Sequence, residues 1–212
     1  IAILITEVKN TKLKKLYQSA ILLPFLMSMV ILSYIVYALL SAENGLVNNS
    51  ILPLFHMDPI QWYQKPKYWP AILIIANCWK GVGYGCLIYI ASLIGIDPSF
   101  YEAARLDGAS KWQEITKITL PSLVPTIITL LLLSIGRIFY SDFGLFYQVP
   151  MNSGVLVPTT NVIDTYVYRA LIEQGNISMS SAAGVYQSLV GFCVVMLSNW
   201  IVRKVDKDQA LF

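Results

Sequence analysis

Four apolar stretches dominate the chain, at about 17–40, 71–94, 122–140 and 181–202, and a shorter apolar run, 1–8, opens it. A helix needs about 20 apolar residues to cross about 30 Å of hydrocarbon. The pattern therefore predicts four membrane spans preceded by the tail of a fifth helix. The polar segments between them differ in kind: 95–121 is charged and helix-prone, whereas 41–70 and 141–175 are longer and rich in Trp and Tyr. Apolar residues make up 56% of the chain and charged residues 13%, which leaves too little polar surface to cover a soluble protein. The expected fold is all-α and integral to the membrane, a polytopic helical bundle forming a single domain over 1–212.

Charge placement predicts the orientation, because short cytoplasmic loops collect Lys and Arg. Lys9, Lys12, Lys14 and Lys15 precede the first full span; Arg105, Lys111 and Lys117 lie between the second and third; Arg203, Lys204 and Lys207 follow the last. Those regions, the C-terminus included, are expected on the cytoplasmic side. The loops 41–70 and 141–175 hold only Lys65, Lys67 and Arg169 as basic residues and are expected outside, with Trp62, Tyr63, Tyr68, Trp69, Tyr166 and Tyr168 as interfacial anchors. Topology accounts for the Lys cluster near residue 12 without a nucleic-acid or lipid-binding role.

Little in the chain points to chemistry. Cys78, Cys86 and Cys193 fall within predicted spans and read as small buried hydrophobes. His56, the single histidine, lies in an outer loop with no neighbouring ligand cluster of metal spacing. No phosphate-cradling Gly-x-x-x-x-Gly-Lys-Ser/Thr, Gly-x-Ser-x-Gly elbow or His-Glu-x-x-His helix occurs. Asn48-Asn49-Ser50 and Asn176-Ile177-Ser178 match glycosylation sequons on the expected outer side, a tripeptide that arises often by chance.

The segment 97–121 has a more definite design. Asp97 and Pro98 have the form of an N-cap and first helical residue, predicting a helix to about Leu106. Gly108 suits the left-handed position just past its end, and Ser110 with Gln113 has capping-box spacing for a second helix. The product is a tight helical hairpin displaying Tyr101, Arg105, Lys111 and Trp112 beside Ala103, Ala104 and Ala109. From spacing alone this could be an interfacial amphipathic linker between two spans.

The run Glu102-Ala103-Ala104, Asp107-Gly108-Ala109, then Ile118, Leu120 and Pro121 resembles the EAA loop of ABC-importer permeases. The resemblance implies a type I importer permease fold, N-terminally incomplete here, because the chain begins mid-helix without Met or signal peptide and such permeases carry about one more helix and a half upstream. It implies that Glu102, Ala103, Ala104, Arg105, Asp107, Gly108, Ala109, Trp112, Ile118 and Pro121 dock on a separate ATPase. This chain would bind no cofactor, ATP and Mg²⁺ belonging to that partner. The implied partners are a second, different permease subunit, two ATP-binding subunits, an extracytoplasmic solute-binding protein and the lipid of a bacterial cytoplasmic membrane, with no nucleic acid.

Polar side chains inside a bilayer are costly and usually face a bundle interior or a wet cavity. Asn77, Lys80, Gly81 and Tyr84 share one helical face, and Thr126, Thr129, Arg137 and Tyr140 another. Ser181, Gly184, Ser188 and Gly191 form a small-residue stripe suited to helix packing, with Tyr186 and Gln187 pointing elsewhere. The candidate pathway set is Asn77, Lys80, Tyr84, Arg137, Tyr140 and Gln187. Each has a structural rival: Lys80 pairing with a carbonyl or a partner's carboxylate, Arg137 snorkelling outward. In the outer loop, Asn161 is expected to cap a helix 162–172 that ends at Gly175.

Trp79 to Gly85, Ile94 to Pro98 and Val162 to Arg169 resemble the carbohydrate branch of these permeases, in particular the polysaccharide, oligosaccharide and uronate group. The implied function is the membrane subunit of an oligosaccharide importer. The alternatives are an importer of another solute and, from a different class, a scaffold or a membrane-embedded enzyme using Arg137, Asp142 and Asp164.

Overall fold

The structure, a computed structural model, describes residues 1–205. Lys207 lies outside them. In chain order the main helices are α1 (Ala2–Thr6), α2 (Thr11–Leu26), α3 (Met29–Leu40), α4 (Trp69–Ile94), α5 (Pro98–Leu106), α6 (Lys111–Glu114), α7 (Leu120–Gly136), α8 (Ile163–Tyr168) and α9 (Ile177–Val205). A wide turn, Ile115–Thr119, joins α6 to α7 without a break. Single turns fill the two long connections, and no strand occurs among the described residues.

Three helical runs are long and apolar enough to cross a bilayer: Pro66–Ile94, Lys111–Ile135 and Ile177–Lys204. The expected single span 17–40 is instead two helices, α2 and α3, bent by 97°. The sequence explains the break. Pro24 inside α2 has no N–H for the helix ladder, and Ser28 takes an extended backbone whose Oγ accepts from Ile31 N at 3.3 Å, restarting the helix. The span expected to reach residue 140 stops at Gly136, so Arg137 lies in the turn beyond α7.

The chain divides into two compact units. One comprises Ile1–Leu23, Val82–Gly136 and, among the described residues, 192–205; the other comprises Pro24–Gly81 and Arg137–Gly191. In the first, Ala2 and Ile5 of α1 pack on Cys86 and Ile90 of α4, with Ile21 of α2 against them. Gly83 permits this closeness: a Cβ there would lie 2.2 Å from the Ile21 carbonyl oxygen. The second unit centres on Leu32 and Val36 of α3, Trp69, Leu73 and Ala76 of α4, and Leu145, Val149 and Leu156. Less than a quarter of the apolar window of any of the three runs is buried within the chain, 17–22%, so lipid or other chains must cover the rest.

Several outer-loop expectations change. Trp69, expected as an interfacial anchor, is fully buried, its indole N–H donating to the Trp62 carbonyl at 2.8 Å. Burial, and after it the neighbouring Tyr37, raises the pKa of the Tyr63 phenol packed between Tyr37 and Trp69. Asn48, in the first sequon, is buried; its amide donates to the carbonyls of Ser41, Ala42 and Ile60 and its carbonyl accepts from Ile60 N and Trp62 Nε1. A glycan there is incompatible with this fold. Asn161 does not cap α8 through a backbone N–H: its Oδ1 accepts from Thr165 Oγ1 and Arg169. Cys86 is buried as expected, but Cys78 and Cys193 lie exposed on the chain's surface.

Candidate functional site

The segment from Asp97 to Thr119 folds into the hairpin its residues predict, in the first of the two units. Asp97 Oδ1 accepts from Ser99 N at 2.9 Å, and Pro98 opens α5. That bond holds the Asp97 carboxyl below its ordinary pKa. Gly108 takes φ +78, and Gly108 N–H reaches the Arg105 carbonyl at 3.1 Å while Ala109 N–H reaches Ala104 at 2.9 Å. This paired closure satisfies the last carbonyls of α5 and needs a residue without Cβ strain at 108. Ser110 and Gln113 then form both halves of a capping box, with Ser110 N donating to Gln113 Oε1 at 2.7 Å.

Charges brace the two arms. Glu114, 3% exposed, accepts from Arg105 Nε at 2.8 Å and from Lys111 Nζ at 2.9 Å. The hydrogen bonds from Arg105 and then Lys111 lower the Glu114 pKa to about 2, and its charge in turn raises theirs. Glu114 lies before α7, the apolar stretch of its helical run. Lys111 also pairs with Glu7 at 3.2 Å, tying the hairpin to the chain just past α1. Tyr101 and Thr119 hydroxyls meet at 3.0 Å.

The residues expected to dock a partner therefore separate into two groups. Arg105 is engaged within the hairpin. Glu102, Ala103, Asp107, Gly108, Trp112 and Pro121 are exposed, while Ala104, Ala109 and Ile118 are half-buried around a shallow hollow shared with Gln113 and Lys117. Leu106 is 89% exposed and Trp112 72%, apolar surface that a hairpin braced this firmly presents at fixed positions. Glu114, Glu7 and Leu106 escape a motif-based reading. Once Gly108 is recognised as the turn, Arg105 and Glu114 fall opposite each other on the two arms, which is the signal available in the sequence.

The pathway candidates are not gathered into one cluster. On α4, Asn77 is exposed and Tyr84 is 52% exposed. Between them, Lys80 donates to the carbonyls of Pro24 at 3.5 Å, of Phe25 at 3.0 Å and of Met27. Arg137 is exposed beyond α7. The stripe running through it is broken, because Tyr140 lies outside any helix and its hydroxyl meets Ser188 Oγ of α9 at 3.1 Å.

Gln187, 4% exposed, donates to the Phe139 carbonyl and to Asp164 at 3.3 and 3.4 Å. Asp164 in turn accepts from Ser141 N at 2.6 Å, and Asp142 caps Leu145 N at 3.1 Å. Both outer-loop carboxylates are thus engaged with backbone N–H groups, Asp164 with Gln187 as well. Among the described residues no three His, Cys, Asp or Glu side chains could share a metal ion.

Comparison with known proteins places this architecture. Residues 1–207 match the family model described as binding-protein-dependent transport system inner membrane component. The polygalacturonan/rhamnogalacturonan transport system permease protein YteP of Bacillus subtilis (strain 168) is 33% identical over 98% of this chain and 64% of that protein. The lactose transport system permease protein LacF of Rhizobium radiobacter is 32% identical over 78% of this chain and 56% of its own length. Among solved structures, a subunit of a bacterial alginate ABC transporter, in complex with alginate pentasaccharide-bound periplasmic protein, superposes with a TM-score of 0.90 at 33% identity, covering 97% of this chain and 70% of that one. The chain thus spans about two-thirds or less of the length of the curated relatives it matches.

Proposed function

We propose that this chain, which belongs to the binding-protein-dependent transport system inner membrane components, is the permease subunit of an ATP-driven importer of oligosaccharides and forms half of the translocation pathway. The observation that carries the reading is the hairpin 97–119. It is braced internally by Glu114, Arg105 and Lys111 and turns Ala103, Leu106 and Trp112 to its surface. A rigid, apolar-tipped hairpin at the ends of α4 and α7 transmits motion, because force applied at its tip moves both helices instead of being absorbed by a flexible loop. Its partner is an ATP-binding subunit carrying ATP and Mg²⁺. Likeness to permeases named for polygalacturonan, rhamnogalacturonan and lactose supports a carbohydrate cargo.

The remaining assembly follows from the same reading: a second, different permease, a second ATP-binding subunit and a solute-binding protein on the outer side. The Lys- and Arg-rich ends, the hairpin among them, face the cytoplasm. Asn77, exposed on α4, is the side chain offered to the cargo, its amide able to hydrogen-bond with sugar hydroxyls.

Affinity purification of the full-length protein from its native membrane, with mass-spectrometric identification of its companions, tests the proposal. Recovery of an ATPase, a second permease and a solute-binding protein is expected, with the binding protein retaining an oligosaccharide. Absence of any ATPase, under conditions that preserve another importer complex from the same membrane, overturns it.

A further inference from the structure

A helix that ends inside a bilayer leaves its last carbonyls without partners, and no water is available to take them. The end of α2 falls within the apolar run 17–40. Pro24 interrupts the ladder from within, the helix stops at Leu26, and the chain turns by 97° into α3. Ser28 resolves the other side of the break by capping α3. The carbonyls around the break are met by one side chain from far along the sequence: the Lys80 ammonium donates to Pro24 and Phe25 at the end of α2 and to Met27 just past it, at separations of 56, 55 and 53 residues, and the Pro24 carbonyl also accepts locally, from Met27 N at 3.3 Å. An ammonium has three donors and no acceptor, so three carbonyls satisfy it fully. A cation at a helix C-terminus also complements the partial negative charge there. The Phe25 ring adds a face 5.9 Å from Nζ.

We infer that Lys80 is a positioning residue, whose ammonium caps the open carbonyl end of α2 and holds the bend into α3. The inference deepens the transport reading: the one charge on the candidate pathway face of α4 is engaged with backbone instead of being held out to the cargo. Lys80 then sets the shape of the path without binding what passes through it.

The test uses the full-length permease in lipid nanodiscs, with Met ¹³C-labelled at the carbonyl and Lys ¹⁵N-labelled at Nζ. Solid-state NMR is expected to show a Lys Nζ to Met carbonyl dipolar coupling that disappears in Lys80→Arg, which assigns it to Lys80 and Met27. Absence of such a coupling, or its persistence in Lys80→Arg, overturns the inference without any variant having to lose function. In parallel, spin labels at Ser19→Cys and Ile31→Cys, with Cys78, Cys86 and Cys193 replaced by Ser, report the bend. A narrow distance distribution is expected for the parent and for Lys80→Arg, which keeps the donors, and a distribution at least twofold broader for Lys80→Met. Equal widths in Lys80→Arg and Lys80→Met, whether narrow or broad, overturn it. The readouts are independent of transport: a failed coupling measurement sinks this role for Lys80 and leaves the importer reading standing, whereas failure to recover an ATPase does the reverse.

Discussion

The hairpin 97–119 and the bend between α2 and α3 solve the same problem by opposite means. Both interrupt helices and expose backbone polar groups. In the hairpin the groups are met locally: Asp97 serves Ser99, Gly108 and Ala109 close on Arg105 and Ala104, and Ser110 and Gln113 serve each other. At the bend Ser28 meets the amide side locally, but the carbonyls of Pro24, Phe25 and Met27 accept from Lys80, more than 50 residues away. A hairpin beyond the apolar stretches has water as a fallback and can be specified by short-range codes. A break within them has no fallback, so its carbonyls require a side chain delivered by another helix.

The largest effect is expected at Gly83, where α2 and α4 touch. Gly83→Ala places a Cβ against the Ile21 carbonyl, and the expected cost is about 3 kcal/mol, at the upper end for overpacking. Thermal denaturation of the purified full-length protein should show it, and an unchanged midpoint would mean that α2 does not lie against α4 as described. Gly108→Val comes next. A β-branched residue forced to φ +78 should cost about 2 kcal/mol and reduce co-purification of the ATPase more than tenfold. Equal recovery would detach the hairpin's shape from its function.

The charge brace gives a pH signature. Glu114 titrates at about 2 in the folded hairpin against an ordinary value of 4.5. Its contribution is therefore fully present above about pH 4.5 and is lost as pH falls through about 2. Amide exchange in the hairpin, corrected for its intrinsic pH dependence, should accelerate across that window in the parent. In Glu114→Gln it should already be fast at neutral pH and show no such step. The smallest effect is expected from Ser110→Ala, a lost N-cap worth about 1 kcal/mol, read as roughly fivefold faster exchange at Lys111 to Gln113 with no change at α2 or α3.

The membrane class, the family, and the hairpin down to its caps and turn are legible in the chain alone, because each rests on residues near one another: apolar run lengths, the Glu102 to Pro121 register, Asp97, Gly108 and Ser110. Tertiary structure alone decided where distant parts meet. The run 17–40 reads as one span by composition. Pro24 and Ser28 make a break possible, but the bend holds because α4 brings Lys80 to the open carbonyls. Trp69, Asn48 and Gln187 read as an anchor, a sequon and a pathway residue, yet fold as a core indole, a buried amide clamp and a link to Asp164. Polarity in a membrane sequence marks where a hydrogen-bonding partner is required; whether that partner is cargo, a neighbouring helix or a bare carbonyl depends on packing that no local pattern encodes.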